Sequence, residues 1–342
     1  MKELKEMLRG LCALATVSGH EKRDRDNLFE IARPFFDEIR EDKFGNFVFI
    51  KKSRLENAPR LMLDAHFDEV GMMVSQIHEN GFLSVVAIGG LDTRVLPATE
   101  VTIYGKKPIY GVITSVPYHI SGRAKSAPEM NEIYIDTGYT KKELEELVEI
   151  GSMVEFKERF DELEGDCVCS KSLDDKACVC ALFDMAKNAD AERLQYDLYV
   201  VISAQEETGK NGARLVAYDI VPDIAIVTDV NFAQGEGIPK TESIELGGGA
   251  GIDISALTDI RLTRGIMKLL DKRGIPYQRA CEPSRTSTNN DGISVSGQGV
   301  KTVLMSIPLQ SMHTPSEMVC LGDIKSMSKI LLEIAYTPME DI

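Results

Sequence analysis

Residues 60–71 read Arg-Leu-Met-Leu-Asp-Ala-His-Phe-Asp-Glu-Val-Gly (RLMLDAHFDEVG), and two features of this stretch decide the fold. The run from Arg60 to Ala65 is short, apolar and ends at a histidine. A buried strand with functional groups at its carboxyl end belongs to an open α/β sheet, whose ligands sit in the crevice outside the strand ends. At Gly71 the texture changes. From there to Asp166 short β-rich segments (MMVSQI, FLSVVAI, EVTIYG, IYGVITSV, NEIYIDTG, SMVEFK) are separated by Gly, Pro and Asn. That spacing predicts a small barrel or sandwich, with one acidic helix near 141–148.

Upstream, the N-terminal MKELKEMLRGLCALATVSGHEKRD reads as an amphipathic helix, because its apolar stretch is short and carries acids; a signal peptide or membrane span is not expected. A helix over 27–39 and a strand pair turning at Gly45-Asn46 into FVFIKK follow. Downstream of Ser170 the α/β alternation returns: helix 174–189, strand 197–204, helix 212–218, strand 224–227, helix 257–273, strand 302–307 and helix 323–335. The expected fold is therefore α/β, a mixed, mainly parallel sheet flanked by helices. Its domain is discontinuous (1–70 and 167–342) and is interrupted by a small β-barrel-like domain over 71–166. At 342 residues the chain is long enough for one large core and a smaller one.

A formal net charge of −15 sets the chain against nucleic acid and anionic membranes, both of which it would repel, and leaves small cations and peptide amines as better-suited ligands. Seven cysteines, an odd number, predict reduced thiols in a cytoplasmic protein. Cys167-Val-Cys169 and Cys178-Val-Cys180 have gaps of one residue where zinc knuckles use two or more, so they read as small hydrophobes on a strand and then a helix. The glycine-rich 247–251 lacks the lysine of a phosphate-binding loop and reads as a flexible loop near a site.

Two of the five histidines stand directly after predicted strands beside acids: His66-Phe67-Asp68 and Met312-His313-Thr314. His20, His78 and His119 lack that context and read as structural or surface residues. Asp174-Asp175, Glu206-Glu207 and Asp229 stand at other strand or helix ends. Each alone would pass as a helix cap or a solvated strand end. Together they fall on one rim of one sheet, and such a nest of carboxylates and imidazoles is stable only around cations. Two divalent ions fit the count, with zinc, cobalt or manganese suited to the oxygen and imidazole donors. In the Glu206-Glu207 doublet, one residue can hold metal while its neighbour serves as general base.

Six ordered stretches now carry a resemblance: LDAHFDEVG (63–71), GGLDTRVLP (89–97), KSLDDKA (171–177), SAQEETGKNGA (203–213), TDV (228–230) and SMHTPSE (311–317). Nearly end to end, the chain resembles the tetrahedral (TET) metallo-aminopeptidases, whose members include glutamyl and deblocking aminopeptidases and have sometimes been labelled endoglucanases. The resemblance implies a zinc-peptidase-like α/β catalytic domain and an inserted dimerisation domain. It also implies two divalent metals, zinc or cobalt first and manganese next. His66 and His313 would be the outer ligands and Asp174 the bridge, with Glu207 and Asp229 completing the pair in an order left open. Glu206 would be the general base and Asp68 the orienter of His66. Peptides would be the substrates, and the particle a homo-oligomer, a dodecamer built from dimers. RTSTNND at 285–291 departs from the Gly-Thr-Asp usual in the family, which puts the pocket for the N-terminal side chain in question. A glycoside hydrolase would need two carboxyls and aromatic platforms; 6% aromatic residues with no Trp, and histidines left without a task, speak against it.

Overall fold

The computed structural model describes residues 1–115, 118–121 and 127–342. Its strands are β1 (Glu38–Glu41), β2 (Phe47–Lys51), β3 (Arg60–His66), β4 (Gly71–Ile77), β5 (Phe82–Ile88), β6 (Glu100–Tyr104), β7 (Pro108–Ser115), β8 (Ile133–Asp136), β9 (Met153–Phe156), β10 (Phe160–Glu162), β11 (Cys167–Ser170), β12 (Asp197–Ser203), β13 (Ile224–Phe232), β14 (Gly251–Ser255), β15 (Gln278–Glu282), β16 (Thr302–Leu309) and β17 (Glu317–Cys320). The α-helices are α1 (Lys2–Cys12), α2 (Arg25–Ala32), α3 (Tyr118–Ser121), α4 (Lys141–Leu147), α5 (Leu173–Asn188), α6 (Glu206–Gly209), α7 (Asn211–Ile220), α8 (Ile260–Arg273), α9 (Asn290–Ile293) and α10 (Leu321–Ala335).

Eight strands form the central sheet in the order β1-β2-β12-β3-β13-β16-β14-β15. The middle four, β12-β3-β13-β16, run parallel, and β14 is antiparallel to β16. Both faces are covered, which explains the continuous apolar run of β3. Leu61, Leu63 and Ala65 pack on the face shared with α1, α5 and α10, whereas Met62 points to the face covered by α7. Helix α5 is buried without a break from Leu173 to Ala186 because it lies between the sheet and its companions α1 and α10. α1 buries Leu4, Leu8, Leu11 and Cys12, one face of the predicted amphipathic helix.

Between β3 and β11 the chain builds the predicted barrel, closed in the order β4-β5-β8-β7-β6-β9. Its interior holds Met72, Val74, Leu83, Val101, Ile103, Ile135 and Phe156, and Leu144 of α4 packs against them. Gly71 allows β4 to start here: a Cβ at that position would lie 2.5 Å from a Val17 methyl. Val116, the last residue of the expected IYGVITSV strand, lies outside the described residues.

Several local expectations change. The helix expected over 27–39 ends at Ala32; a 3-10 turn through Pro34 follows, and β1 begins at Glu38. Proline interrupts the helical hydrogen bonding, and antiparallel pairing of β1 with β2 takes the remaining residues. Strands β14, β15 and β17, which carry no strong alternation, were not expected. The glycine-rich 247–251 is not a loose loop at the site: Asp323 accepts the Gly247 and Gly249 N–H groups at 2.8 and 2.7 Å, and β14 starts at Gly251. Cys167 and Cys320, opposite each other in the β11–β17 register, form a disulfide, which corrects the expectation that all seven thiols are reduced. The pairing arises from strand register between residues 153 apart, which sequence spacing does not reveal. Among the described residues no helix is long and apolar enough to cross a membrane.

Candidate active site

Five segments meet at the carboxyl edge of the central strands. β3 ends at His66, and the turn after β12 opens α6 with Glu206 and Glu207. β13 passes through Asp229, α5 begins with Leu173-Asp174, and the β16–β17 connection carries His313. Ser172, Gln205, Ser311 and His313 adopt left-handed backbone angles (φ 54°, 58°, 61° and 59°) although none is glycine. Such residues persist where their surroundings hold them. Here Glu21 accepts the Gln205 N–H at 3.0 Å, and Glu317 accepts the His313 N–H at 2.7 Å. The Asp174–Asp175 peptide is cis.

The side chains converge on Asp174. His66 Nε2 lies 3.0 Å from Asp174 Oδ1 and 3.9 Å from Asp229 Oδ1. His313 Nε2 lies 3.2 Å from Asp174 Oδ2 and 3.3 Å from Glu207 Oε1. Two groups of donors result, His66–Asp174–Asp229 and His313–Glu207–Asp174, each with its ligand atoms within 4.8 Å of one another. Both could hold a cation, and Asp174 belongs to both. Each Nδ1 faces a backbone carbonyl at 2.9 Å, that of Asp68 for His66 and that of Gly90 for His313. Donation from Nδ1–H to these carbonyls turns both Nε2 atoms toward Asp174, where a bound cation would meet their lone pairs.

His66, Asp174, Glu206, Glu207, Asp229 and His313 all line one cavity of about 500 Å³. Asp68 lies beneath it, fully buried. Its carboxylate does not hold the His66 ring, which lies 3.7 Å away, but accepts the Glu206 and Glu207 N–H groups at 2.9 and 3.1 Å. His66 is oriented instead by the Asp68 carbonyl. His78 bonds Ser84 in the barrel and takes no part.

The sequence pattern of the M42 glutamyl aminopeptidase family matches residues 45–330. The chain belongs to the M42 peptidase family. A lysyl aminopeptidase of Pyrococcus furiosus is 31% identical over 338 residues, covering 96% of each chain. An aminopeptidase from the archaeon Desulfurococcus kamchatkensis has the same fold with a TM-score of 0.92 at 29% identity, covering 98% of this chain and 95% of that one. The TET1 peptidase of Pyrococcus horikoshii, described as assembling into a tetrahedron or a large octahedral shell, gives 0.85 at 29% identity, covering 97% and 99%. This M42 chain is thus an aminopeptidase, a hydrolase of peptide bonds, as the six motifs imply.

The electrostatics of the M42 site are those of a pocket short of positive charge. Burial raises Asp229 well above the carboxylate range, and the charges of Asp175 and Asp174 add to the effect. Burial also lifts Glu206 to about 7, against the pull of His66 and Lys210. For His313 burial disfavours the charge, but Asp174 and Glu207 outweigh it and push the ring up to about 11. Each shift favours taking up positive charge, and cations among these groups would return the carboxyls to their ionised form.

Two supporting groups of the M42 site, Glu317 and the Gly90 carbonyl, escaped the reading of the sequence, and Asp175, counted there only in the acidic nest, has a supporting place. Glu317, buried, accepts N–H groups from both His313 (2.7 Å) and Asp174 (3.1 Å), so one side chain braces members of both donor groups. Glu317 stands in the SMHTPSE stretch four residues after His313, the one signal that could have drawn notice. The Gly90 carbonyl comes from the inserted segment, and no sequence pattern marks a backbone acceptor. Asp175 accepts the His66 N–H at 3.2 Å behind the site. Arg285, Thr286, Ser287 and Thr288 of the unusual 285–291 segment line the cavity wall.

Proposed function

We propose that this aminopeptidase is metal-dependent and removes residues from the N-termini of peptides with two divalent cations, zinc or cobalt before manganese. The observation that carries the reading is the pair of donor groups sharing Asp174. Imidazole and carboxylate donors suit these borderline metals, and a buried acidic nest needs such charge. His66 and Asp229 would hold one ion, His313 and Glu207 the other, with Asp174 common to both. When bound, the ions polarise the scissile carbonyl and lower the pKa of the attacking water.

The chain's own groups do the rest. Glu206 is the general base: its Oε1 is buried without a hydrogen-bond partner, 3.3 Å from Lys210 Nζ, and takes the water proton. The same carboxyl then delivers that proton to the leaving amine. Asp68 positions it by holding the N–H groups at the start of α6, so Glu206 and Glu207 diverge from one fixed turn. The carboxylates left around the cations bind the substrate's free α-amine, which makes the enzyme an exopeptidase.

The shells formed by the TET1 relative support a homo-oligomer here, twelve chains built from dimers, with the barrel segment (71–166) as dimerisation domain beside the catalytic domain (1–70 and 167–342). The reading includes a cytoplasmic location, where short peptides are the available substrates. Metal analysis of chelator-stripped, reloaded and desalted protein tests the centre: two equivalents bind to wild type, and Asp174→Asn loses affinity for both. One equivalent in wild type contradicts the shared-bridge arrangement.

A further inference from the structure

The cavity that takes in the two donor groups is also lined by two acids of the outer strands, Asp253 and Glu282. In the sheet, Asp229 of β13 pairs with Ser306 of β16, and the next two strands outward are β14 with Asp253 and β15 with Glu282. Two strand spacings, about 10 Å, separate β13 from β14, and Asp253 pairs with Leu304, two residues before the Ser306 that faces Asp229. Asp253 and Glu282 both line the cavity. The same wall includes Val230, Leu304 and Met312, apolar surface for a side-chain stem.

Asp253 is 1% exposed, and its carboxylate is held by two neutral donors, Asn231 Nδ2 at 3.1 Å and Ser306 Oγ at 2.8 Å. Among the described residues neither Asp253 nor Glu282 forms an ion pair, and the charged group acting on Asp253 is Glu282 itself. The cavity's two basic residues stand elsewhere. Lys210 is beside Glu206, and Arg285 is exposed on a rim that an adjoining pocket shares with Lys210 and Arg214. A buried carboxylate that no cation of the chain answers is costly and matches a cation brought by the ligand.

We propose that Asp253, seconded by Glu282, is the specificity-determining residue for the substrate's first side chain and selects peptides that begin with lysine or arginine. The inference rests on the aminopeptidase reading of the same cavity. The aliphatic stem of either residue lies along the apolar wall while its charged head meets the two acids. A leucine would leave Asp253 unanswered, and a glutamate would meet like charge.

The test is kcat/KM of the metal-loaded enzyme on Lys-Ala, Arg-Ala, Leu-Ala and Glu-Ala dipeptides. Wild type prefers the basic pair over Leu-Ala by roughly tenfold or more, the range of a charge-assisted contact, with Glu-Ala last. In Asp253→Asn the Lys:Leu ratio falls roughly tenfold. In Glu282→Gln, at a half-exposed position that tolerates change, it falls by less. A ratio is independent of the folded fraction of each preparation. Equal use of Lys-Ala and Leu-Ala by wild type, or an unchanged ratio in both variants, overturns the inference while leaving the aminopeptidase reading intact. Hydrolysis of none of the four overturns both.

Discussion

Glu317 shows how much of the site's precision comes from residues that would touch neither metal nor substrate. Its two oxygens accept the His313 and Asp174 N–H groups, so removing it frees both ends of the donor set, including a histidine held at φ 59°. For Glu317→Ala the expected outcome is a loss of metal affinity of roughly 10–100-fold, read by competition with a chromogenic chelator. Unaltered affinity would mean that the β16–β17 connection holds itself. The convergence of the proposed histidines and acids on one cavity was legible where a side chain stands just past a predicted strand, as His66 follows RLMLDA. Glu317 and the Gly90 carbonyl were not legible, since their task depends on which N–H or ring faces them after folding. Asp68 does face His66 as its position two residues on suggests, but through its carbonyl, while its carboxylate takes the Glu206 and Glu207 N–H groups, a second task that the sequence does not show.

Elements tie the inserted barrel to the catalytic sheet through a buried ionic cluster. Glu69, between β3 and β4, takes Lys171 Nζ at 2.8 and 2.9 Å and Lys176 Nζ at 3.2 Å, and Glu155 of β9 lies 3.5 Å from Lys171. All four are buried. The two lysines flank Asp174, so the cluster fixes the start of α5 against the barrel. Glu69→Gln leaves two buried ammonium groups without their main partner and costs about 3–5 kcal/mol in denaturant unfolding. Burial alone would raise the Glu69 pKa, yet Lys171 and Lys176 outweigh it and hold the carboxyl below its ordinary 4.5. A depressed folded-state value contributes stability that is full above the unfolded value and lost as pH falls below it. The difference between wild type and Glu69→Gln should therefore narrow as pH drops below about 4.5. A difference independent of pH would remove the ionic account. Element types were legible wherever an amphipathic or fully apolar period was strong, as in α1, β3 and β12. β14, β15 and β17 were missed because pairing with neighbours, and not their own alternation, makes them strands.

For the whole molecule, a negatively charged chain carrying an acidic pocket poses a question of assembly. Light scattering of the purified protein is expected to give a particle of twelve 37.8 kDa chains, and deletion of the barrel segment is expected to abolish it. A monomer that retains full peptidase activity would confine the account to the single chain. The sheet order brings the proposed catalytic and specificity groups to one cavity: β3 and β13 carry His66 and Asp229, and β14 and β15, two and three places outward from β13, carry Asp253 and Glu282, which line the same cavity. The central claim is that Glu206 and two cations act on a peptide with a free N-terminus. It is tested most directly by measuring amino-acid release from matched unblocked and N-acetylated peptides, using chelator-stripped protein before and after cobalt or zinc, beside Glu206→Gln. The account predicts stepwise release only from unblocked peptides and only with metal, and a fall of roughly 10²–10⁴-fold in Glu206→Gln that still binds metal. Release that survives complete metal removal, or that Glu206→Gln leaves unchanged, would contradict it.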